Sequence, residues 1–324
     1  PYGPSPKAML ALAELQFPHI YPDPESRALR TELARFTGVP EDNLLAGAGA
    51  DELIDLILRV MVEPGDTVIN CPPTFGMYPF DTMINAGQVV NVERKDDFAL
   101  DTQAILQAYE QYQPKLIFLT TPNNPDGNMP DPDEIEPILQ LPCLIVIDEA
   151  YIEFCTDGGT LGKAKSRIQQ VPQKDNLIIL RTFSKWAGLA GLRVGYGAFP
   201  TWLMPILWKS KQPYNVNVAA NAAAIASLND LDFLAGNVRK LQAERDSLCT
   251  RLQNISYLRP FPSQANFILC EVLGRSATEL TRQLEQEGIL IRYYDTRRLK
   301  NYIRISVGRP SDSECLLEVL KKLE

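Results

Sequence analysis

The sequence contains a single histidine, His19, among its 324 residues. This scarcity excludes histidine-based catalytic triads and metal centres that depend on several imidazoles. No C-x-x-C pair occurs among its six cysteines, which are Cys71, Cys143, Cys155, Cys249, Cys270 and Cys315. We therefore predict reduced, mostly buried thiols of a cytoplasmic protein, with neither a disulfide framework nor a bound metal.

Basic residues are in the minority, and the formal net charge is -8 at pH 7. An acidic surface argues against nucleic acid or an anionic membrane as the main partner. The sequence also lacks an apolar run of the roughly 20 residues that cross a bilayer, and it lacks a signal-peptide pattern. Because the chain begins with Pro1 rather than Met, we expect the gene product to start earlier. Any anionic ligand must be held by a few local Arg, Lys and backbone N–H groups.

Short apolar segments alternate with helical patterns between Leu44 and Phe199. The segments are continuous, as is typical of strands buried on both faces of a parallel sheet. The predicted strands are Thr67–Asn70, Val89–Glu93, Leu116–Thr120, Leu144–Ile147, Leu177–Leu180 and Val194–Ala198. The predicted helices are Asp51–Val62, Thr102–Tyr112 and Pro132–Leu139. This alternation predicts an α/β fold with a mostly parallel central sheet flanked by helices.

The pattern changes after Pro213, where a smaller α+β C-terminal domain is expected. Two helices, a strand, a helix, two strands and a terminal helix are predicted, with Ser311 or Ser313 as the cap of the last helix. The segments before that helix are Asn217–Leu228, Leu231–Leu252, Ala265–Cys270, Ala277–Glu287, Ile289–Tyr293 and Tyr302–Val307. We expect a large domain over residues 20–228, and a small domain formed by residues 1–19, an N-terminal arm, together with residues 229–324.

A lysine, Lys185, closely follows the predicted strand Leu177–Leu180. Ligands of α/β sheets bind at the carboxyl ends of strands, where this lysine lies. A nucleophilic lysine needs a lowered pKa, which burial supplies, and a carbonyl partner, which pyridoxal phosphate (PLP) supplies. Thr182, Ser184 and Arg193 can hold a phosphate through hydroxyls and a guanidinium. A solvated loop lysine is the alternative interpretation.

Asp148 follows the strand Leu144–Ile147, and Tyr151 stands three residues further on. A carboxylate here would keep a pyridine nitrogen protonated, which makes the ring an electron sink, and the tyrosine would hydrogen-bond the phenolic oxygen of the ring. A capping aspartate and a core tyrosine explain the same residues without a cofactor. A Walker-B strand is a further alternative, but no G-x-x-x-x-G-K-[ST] motif accompanies it.

Three further segments lie beside predicted strands or open a helix. Gly47 to Glu52 opens an apolar helix whose free N–H groups and dipole attract anions. A nicotinamide-binding fingerprint would need a third glycine where Glu52 stands. Asn124 also follows a strand and can reach the same ligand, although a plain turn is a simpler explanation. Phe75 follows another strand and can stack on a flat ring, although a core aromatic is a simpler explanation. Convergence of all five segments on one ligand favours PLP.

In their order along the chain, these segments resemble the fold-type I PLP-dependent enzymes, and among them the histidinol-phosphate aminotransferases. The resemblance extends from Pro1 to Gly308. Its motifs are Pro1-Tyr2-Gly3-Pro4-Ser5-Pro6, His19-Ile20-Tyr21-Pro22-Asp23-Pro24, Gly49-Ala50-Asp51-Glu52, Asn123-Asn124-Pro125, Asp148 with Tyr151, Lys185 with Arg193, Pro213-Tyr214-Asn215-Val216-Asn217 and Arg304-Ile305-Ser306-Val307-Gly308. The ordered set is far more specific than any one motif.

The resemblance implies that PLP forms a Schiff base with Lys185 and pairs its ring nitrogen with Asp148, and that Tyr151 completes the catalytic group. Tyr151 and Asn124 would contact the phenolic oxygen, and Phe75 would stack on the ring. The implied phosphate ligands are Ala50, Asp51, Thr182, Ser184, Arg193 and, from the other subunit of a homodimer, Tyr21. The implied substrate residues are Tyr2, Arg304 at the acidic end of the substrate, and Arg292 at a substrate phosphate.

The expected reaction transfers the amino group of L-histidinol phosphate to 2-oxoglutarate, a step of histidine biosynthesis. An aromatic amino-acid aminotransferase and an amino-acid-phosphate decarboxylase of the same fold remain open, because both use the same cofactor motifs. A nicotinamide oxidoreductase and a non-catalytic sensor fit less well, since a third glycine and a DNA-binding module are missing. Two residues stand out: Asp126 replaces the threonine of the family's Asn-Pro-Thr-Gly loop, and bulky Trp186 directly follows Lys185.

Overall fold

The computed structural model describes residues 1–155, 161–163 and 165–324, which form two β-sheets surrounded by helices. The strands are β1 (Leu44–Gly47), β2 (Thr67–Asn70), β3 (Gln88–Asn91), β4 (Leu116–Thr120), β5 (Leu144–Asp148), β6 (Leu177–Thr182), β7 (Gly195–Ala198), β8 (Leu258–Pro260), β9 (Phe267–Val272), β10 (Arg292–Tyr293) and β11 (Tyr302–Ser306). The helices are α1 (Pro6–Ala13), α2 (Arg27–Thr37), α3 (Ala50–Met61), α4 (Met77–Ile84), α5 (Thr102–Tyr112), α6 (Pro132–Ile135), α7 (Met204–Ser210), α8 (Val218–Leu228), α9 (Leu231–Leu252), α10 (Ala277–Gln286) and α11 (Pro310–Lys322).

The larger sheet has seven strands in the order β3-β2-β4-β5-β6-β7-β1. All neighbours pair in parallel except β7, which runs antiparallel to both β6 and β1. Every residue of β4, β5 and β6 is buried, because helices cover both faces of the sheet. The prediction of a mostly parallel sheet is confirmed, and the carboxyl ends of these three central strands meet at one edge.

The smaller sheet has four antiparallel strands in the order β10-β11-β9-β8. Helices α9, α10 and α11 pack around it, so the predicted α+β region after Pro213 is confirmed. Arg292 and Arg304 are direct partners across β10 and β11. Their side chains therefore leave the sheet on the same face.

Several predicted bounds shift by one to three residues, and two segments and one helix cap differ more. The helix predicted over Pro132–Leu139 ends at Ile135, because Pro137 has no N–H to continue it, and a separate 3₁₀ turn follows. Neither Ser311 nor Ser313 caps α11: the helix begins at Pro310, and the Asp312 side chain accepts a hydrogen bond from the Arg309 N–H at 2.7 Å. The strand predicted from Ile289 is limited to Arg292–Tyr293.

All six cysteines are free, and the only exposed one is Cys315. Burial raises the pKa of the Cys71 thiol to about 11 and that of Cys143 to about 12, which leaves both thiols unreactive at neutral pH. No helix in the described part of the chain is long and apolar enough to cross a membrane. Nor do the described residues include three His, Cys, Asp or Glu side chains grouped as a metal ion requires.

Candidate active site

A cavity of about 240 Å³ opens where β4, β5 and β6 end. It is lined by Ala50, Asp51, Phe75, Thr120, Asn124, Asp148, Ala150, Tyr151, Thr182, Ser184, Lys185, Ala190 and Arg193. The structure thus brings together every residue predicted to touch the cofactor from within one subunit. The position of the cavity follows from the topology, because the last residues of parallel strands lie at the same edge of the sheet.

Asp148, the last residue of β5, is buried below the cavity. Its Oδ1 accepts a hydrogen bond from the Ala150 N–H at 3.0 Å, and its Oδ2 accepts one from the Tyr78 hydroxyl at 2.7 Å. Burial raises the pKa of Asp148 to about 6, while the Tyr78 hydrogen bond acts in the opposite direction. A buried carboxylate with this environment gains strongly from a cationic partner in the cavity.

Lys185 lies on the loop after β6, and its Nζ is 5.7 Å from the centre of the Tyr151 ring. The amine is accessible from the cavity, yet the surrounding protein displaces enough water to lower its pKa. Positively charged Arg304 lowers the pKa of Lys185 further. A lysine with a lowered pKa is a better nucleophile and a better proton acceptor at neutral pH.

Trp186, the neighbour of Lys185, anchors this loop in the core. Its ring is 3% exposed and stacks 5.6 Å from Phe36, with Phe183 at 5.5 Å on a tilted plane. The bulk of this residue therefore fixes the backbone beside the reactive lysine. Gly188 is equally constrained, because a Cβ there would lie 2.8 Å from the backbone of Gly3.

One end of the cavity is built to hold an anion. Helix α3 begins at Ala50 directly after Gly49, which has φ +85°, so that the N–H groups of its first turn face the cavity. The Arg193 guanidinium lies beside them, 2.6 Å from Asp51 Oδ2. A Cβ on Gly49 would lie 2.5 Å from Arg193 Nη2, so only glycine lets this guanidinium approach the helix.

The two hydroxyls predicted for the same anion also lie at this end. Thr182 Oγ1 and Ser184 Oγ are 2.9 Å apart, and the Ser184 N–H donates to Thr182 Oγ1 at 3.1 Å. The carboxylate of Asp51 would repel an anion, so we expect its backbone N–H rather than its side chain to contribute there.

Tyr151 also lines the cavity and packs edge-to-face on Phe267 at 5.0 Å. Burial raises the pKa of Tyr151 to about 12, so its phenol stays protonated and can donate a hydrogen bond. Nearby, Arg304 Nη1 donates to Asn124 Oδ1 at 2.5 Å. The guanidinium of Arg304 lies 4.7 Å from the Phe267 ring centre, and its buried Nε has no hydrogen-bond partner in the described structure.

Arg292 lies outside this cavity, in a neighbouring one of about 780 Å³. Its guanidinium is 5.4 Å from the Tyr294 ring centre. Phe75 lines both cavities and forms the wall between them. Arg304 is not among the lining residues of either cavity; it reaches the smaller one through its contact with Asn124.

The other two predicted residues also lie outside the cavity. Tyr2 lies between two cations, 5.3 Å from Lys240 and 5.6 Å from Arg309. Tyr21 is 78% exposed and stacks on Tyr214 at 4.6 Å. Within one subunit, the structure does not bring Tyr2 or Tyr21 to the other site residues.

Sequence reasoning missed Tyr78, although it stands only three residues after Phe75. Its hydroxyl contacts Asp148, which lies 70 residues further along the chain. No local pattern marks such a contact. The only available signal was a tyrosine placed shortly after a strand whose carboxyl end borders the site.

The chain matches the family described as aminotransferase class I and II over residues 1–320. Among curated relatives, the chloroplastic histidinol-phosphate aminotransferase of Nicotiana tabacum is 49% identical over 322 residues, which cover 99% of this chain and 76% of the relative. The histidinol-phosphate aminotransferase of Roseiflexus castenholzii is 46% identical over 331 residues, covering 100% of this chain and 87% of the relative.

Solved structures give the same result. The histidinol-phosphate aminotransferase of Sinorhizobium meliloti, determined in complex with pyridoxal-5'-phosphate, superposes with a TM-score of 0.90 at 30% identity. The match covers 100% of this chain and 89% of that one. The likeness therefore includes both sheets and the loops that build the cavity.

Proposed function

The chain belongs to the family of class I and II aminotransferases, and we propose that it transfers the amino group of L-histidinol phosphate to 2-oxoglutarate with PLP as cofactor. One observation carries this proposal: a lysine, a buried carboxylate and an anion cradle line a single 240 Å³ cavity. Relatives that carry this activity in their names match essentially the whole chain. The proposed place of the reaction is histidine biosynthesis.

The residues of the cavity fit PLP at each of its polar groups. The N-terminus of α3, Arg193 and the hydroxyls of Thr182 and Ser184 would hold the phosphate. Asp148 would face the ring nitrogen, and Phe75 would cover one ring face. The protonated phenol of Tyr151 and the amide of Asn124 would contact the phenolic oxygen. When bound, PLP supplies a carbonyl that reacts with amines and a cationic ring that withdraws electrons from the substrate.

Lys185 has two roles in this proposal. Its Nζ would hold the cofactor. As a free amine, the same group would accept the proton from the substrate carbon that bears the amino group and would return a proton to complete the transfer. The lowered pKa of Lys185 favours the neutral amine that both roles require. No histidine takes part, which agrees with a chain whose only histidine is His19.

Two arginines support a substrate with a phosphate at its end. Arg304 and Arg292 leave neighbouring strands on the same face, and neither forms an ion pair with any described residue. A phosphate has three terminal oxygens and nearly two negative charges at neutral pH, so it can satisfy both guanidinium groups. A carboxylate needs only one bidentate arginine. This difference favours a phosphorylated amine over an aromatic amino acid.

We predict that histidinol phosphate has the highest kcat/KM among histidinol phosphate, histidine, phenylalanine and tyrosine. Arg292→Ala should lower kcat/KM for histidinol phosphate about 10- to 100-fold, because a charged hydrogen-bond partner is lost, and should affect the three amino acids less. Steady-state kinetics with 2-oxoglutarate as acceptor measures this. Consumption of the acceptor in equal amount also separates transamination from decarboxylation.

A matched control is Arg297→Ala, since Arg297 lines the same 780 Å³ cavity as Arg292 but lies on the following loop. This control should leave the substrate order unchanged. The substrate assignment is wrong if phenylalanine or tyrosine leads, or if Arg292→Ala lowers all four values equally.

The proposal includes a homodimer in which Tyr21 reaches the phosphate cradle of the partner. Its support is a surface cluster of exposed apolar side chains around Tyr21, namely Phe17, Ile20 and Tyr214. Surfaces of this kind mark protein contacts. A residue that is exposed in one subunit can then complete the anion site of the other.

Tyr21→Phe is expected to weaken PLP affinity about tenfold, because a hydroxyl that donates to a phosphate is lost. Equilibrium binding of PLP to the cofactor-free protein measures this, with Tyr112→Phe, another exposed tyrosine, as control. Sedimentation velocity should show a dimer for the wild type. A fully active monomer would rule out the shared site.

We also propose that residues 20–228 form the cofactor-binding domain and that residues 1–19 with 229–324 form the domain that holds the acidic end of the substrate. The six free cysteines support a reducing compartment such as the cytoplasm. Proteolytic fragments with other boundaries would contradict the division. Recovery of the full-length protein from an oxidising compartment would contradict the location.

A further inference from the structure

Tyr78 is the most deeply buried polar contact of Asp148. It is fully buried on α4, with its hydroxyl 2.7 Å from Asp148 Oδ2 and 2.8 Å from Thr120 Oγ1. Its ring stacks on Phe118 at 4.6 Å with an interplanar angle of 8°. The ring is therefore locked in place, and only the hydroxyl hydrogen is free to rotate.

The hydrogen bonds continue behind Tyr78 into the protein. Thr120 Oγ1 lies 3.0 Å from Thr74 Oγ1, and Thr74 donates to Asn123 Oδ1 at 2.8 Å. The amide nitrogen of Asn123 donates to the Pro73 carbonyl at 2.9 Å and to the Asp126 carboxylate. These two acceptors fix the orientation of the Asn123 amide, so that its oxygen, which accepts hydrogen bonds, faces Thr74. We refer to Tyr78, Thr120 and Thr74 as the hydroxyl chain.

The hydroxyl chain has three hydroxyl hydrogens for four polar contacts. These contacts join Asp148 to Tyr78, Tyr78 to Thr120, Thr120 to Thr74, and Thr74 to Asn123. With an ionised Asp148, Tyr78 donates to Asp148, Thr120 donates to Tyr78, and Thr74 donates to Asn123. Only the contact between Thr120 and Thr74 then lacks a hydrogen. With a protonated Asp148, the carboxyl donates to Tyr78, and each hydroxyl donates to the next residue away from Asp148. All four contacts then hold a hydrogen.

The two charge states of Asp148 thus differ by the rotation of two hydroxyls, those of Tyr78 and Thr120. No backbone movement is needed, and Oδ2 keeps a hydrogen bond in both states. This matters because a buried polar atom without a partner is costly. The other charged or titratable groups facing Asp148 are Asp51 from α3, Tyr151 after β5 and Lys185 after β6, and they bear on it without a direct hydrogen bond.

We propose that Tyr78 is a positioning residue of the reaction, which holds Asp148 against the cofactor ring nitrogen and reverses the hydroxyl chain when Asp148 gains or loses a proton. This inference rests on the proposed function. Asp126 has a defined part in it. Its carboxylate replaces the threonine of the family pattern, accepts from Asn123 and so fixes the acceptor at the far end of the chain.

Tyr78→Phe tests the proposal, because phenylalanine keeps the ring packing and removes only the hydroxyl. Without this hydrogen bond the Asp148 carboxylate becomes more basic and leaves less positive charge on the cofactor ring. The nitrogen that links Lys185 to the cofactor should then keep its proton to higher pH. We expect the pH midpoint of the visible absorbance change of the holoenzyme to rise by roughly one unit.

Further variants separate positioning from mere stability. Tyr257→Phe also removes one buried hydroxyl hydrogen bond, to the Leu320 carbonyl at 2.7 Å, and should leave the midpoint unchanged. Thr74→Val removes the acceptor that Thr120 uses only when Asp148 is protonated, so Asp148 becomes less basic and the midpoint should fall by a smaller amount. Thr74→Ser, by contrast, keeps a hydroxyl at this position and should keep the wild-type midpoint. In Tyr78→Phe, kcat should fall about tenfold with little change in KM.

The outcomes are distinct. A wild-type midpoint in both Tyr78→Phe and Thr74→Val overturns the inference, while the proposed function stands if both proteins bind PLP. If Tyr78→Phe does not fold, the test rests on Thr74→Val. An unshifted pH midpoint in Thr74→Val would then overturn the inference. Failure of the wild-type protein to develop any visible band with PLP would instead refute the proposed function.

Discussion

Lys185→Ala should abolish the visible absorbance band that PLP produces on the wild-type protein, and should lower kcat roughly 10⁴-fold. The reason is the position of Lys185 on the cavity, where one amine serves both as the attachment point and as the group that moves the proton. No second lysine lines the cavity within the described residues, so none can replace it. Reduction of the wild-type holoenzyme with borohydride should place the cofactor label on Lys185 alone.

The measurements are an absorbance spectrum, peptide mapping by mass spectrometry and single-turnover kinetics. Lys115→Ala is the matched control, because Lys115 precedes β4 at the opposite edge of the sheet and its exposed side chain forms an ion pair of 3.9 Å with Asp66. Wild-type turnover in Lys185→Ala, or a label on any other lysine, would refute the central assignment.

Asp148→Asn should retain the fold and bind PLP but lose roughly 10³-fold in kcat. A neutral amide cannot keep the ring nitrogen protonated, so the ring withdraws electrons poorly from the substrate. The amide fits the existing contacts, because its nitrogen can donate to Tyr78, which then donates to Thr120. The loss should therefore appear in kcat and in the spectrum rather than in folding. Near wild-type turnover with PLP bound would exclude the proposed role.

The same substitution should have the opposite effect on the stability of the cofactor-free protein. The folded-state pKa of Asp148 is raised from 3.8 to about 6, so the folded chain binds more protons than the unfolded chain between these values. Its contribution to stability is therefore lost as pH rises from 3.8 through 6, at a total cost of about 3 kcal/mol. Asp148→Asn removes this cost. Denaturant unfolding should show the variant to be the more stable protein at pH 7.5, with little difference near pH 4.

The strands at the centre of the fold were predictable because they are buried on both faces. The bounds predicted for Thr67–Asn70 and Leu116–Thr120 are confirmed to the residue. The direction of a strand was not predictable, since an apolar run carries no sign of it. The reversal of Gly195–Ala198 therefore emerges only from the structure, where its pairing with β6 and β1 is antiparallel.

The candidate site was predictable where its residues follow strands, as Asp148 and Lys185 do. It was not predictable where contacts join distant segments. Tyr78 reaches Asp148 across 70 residues, and the chain to Asn123 crosses a further loop. Arg292 lines the neighbouring cavity, because the short strand β10 sets its position rather than any motif, and its contact with the substrate stays a prediction. Side-chain placement of this kind depends on the packing of two sheets.

The antiparallel strand β7 also determines how much of the chain must be synthesised before the site can form. Among the described strands, β1 has only β7 as a hydrogen-bonded neighbour, and the two are separated by about 150 residues of chain. Gly195 of β7 packs against the first residue of α3, where a Cβ would lie 2.6 Å from the Ala50 nitrogen. A nascent chain that has not yet emerged beyond Ala198 therefore lacks both the partner of its first strand and a wall of its anion cradle. Because domains fold as units once their last strand is available, the anion cradle cannot be complete before β7 has been synthesised.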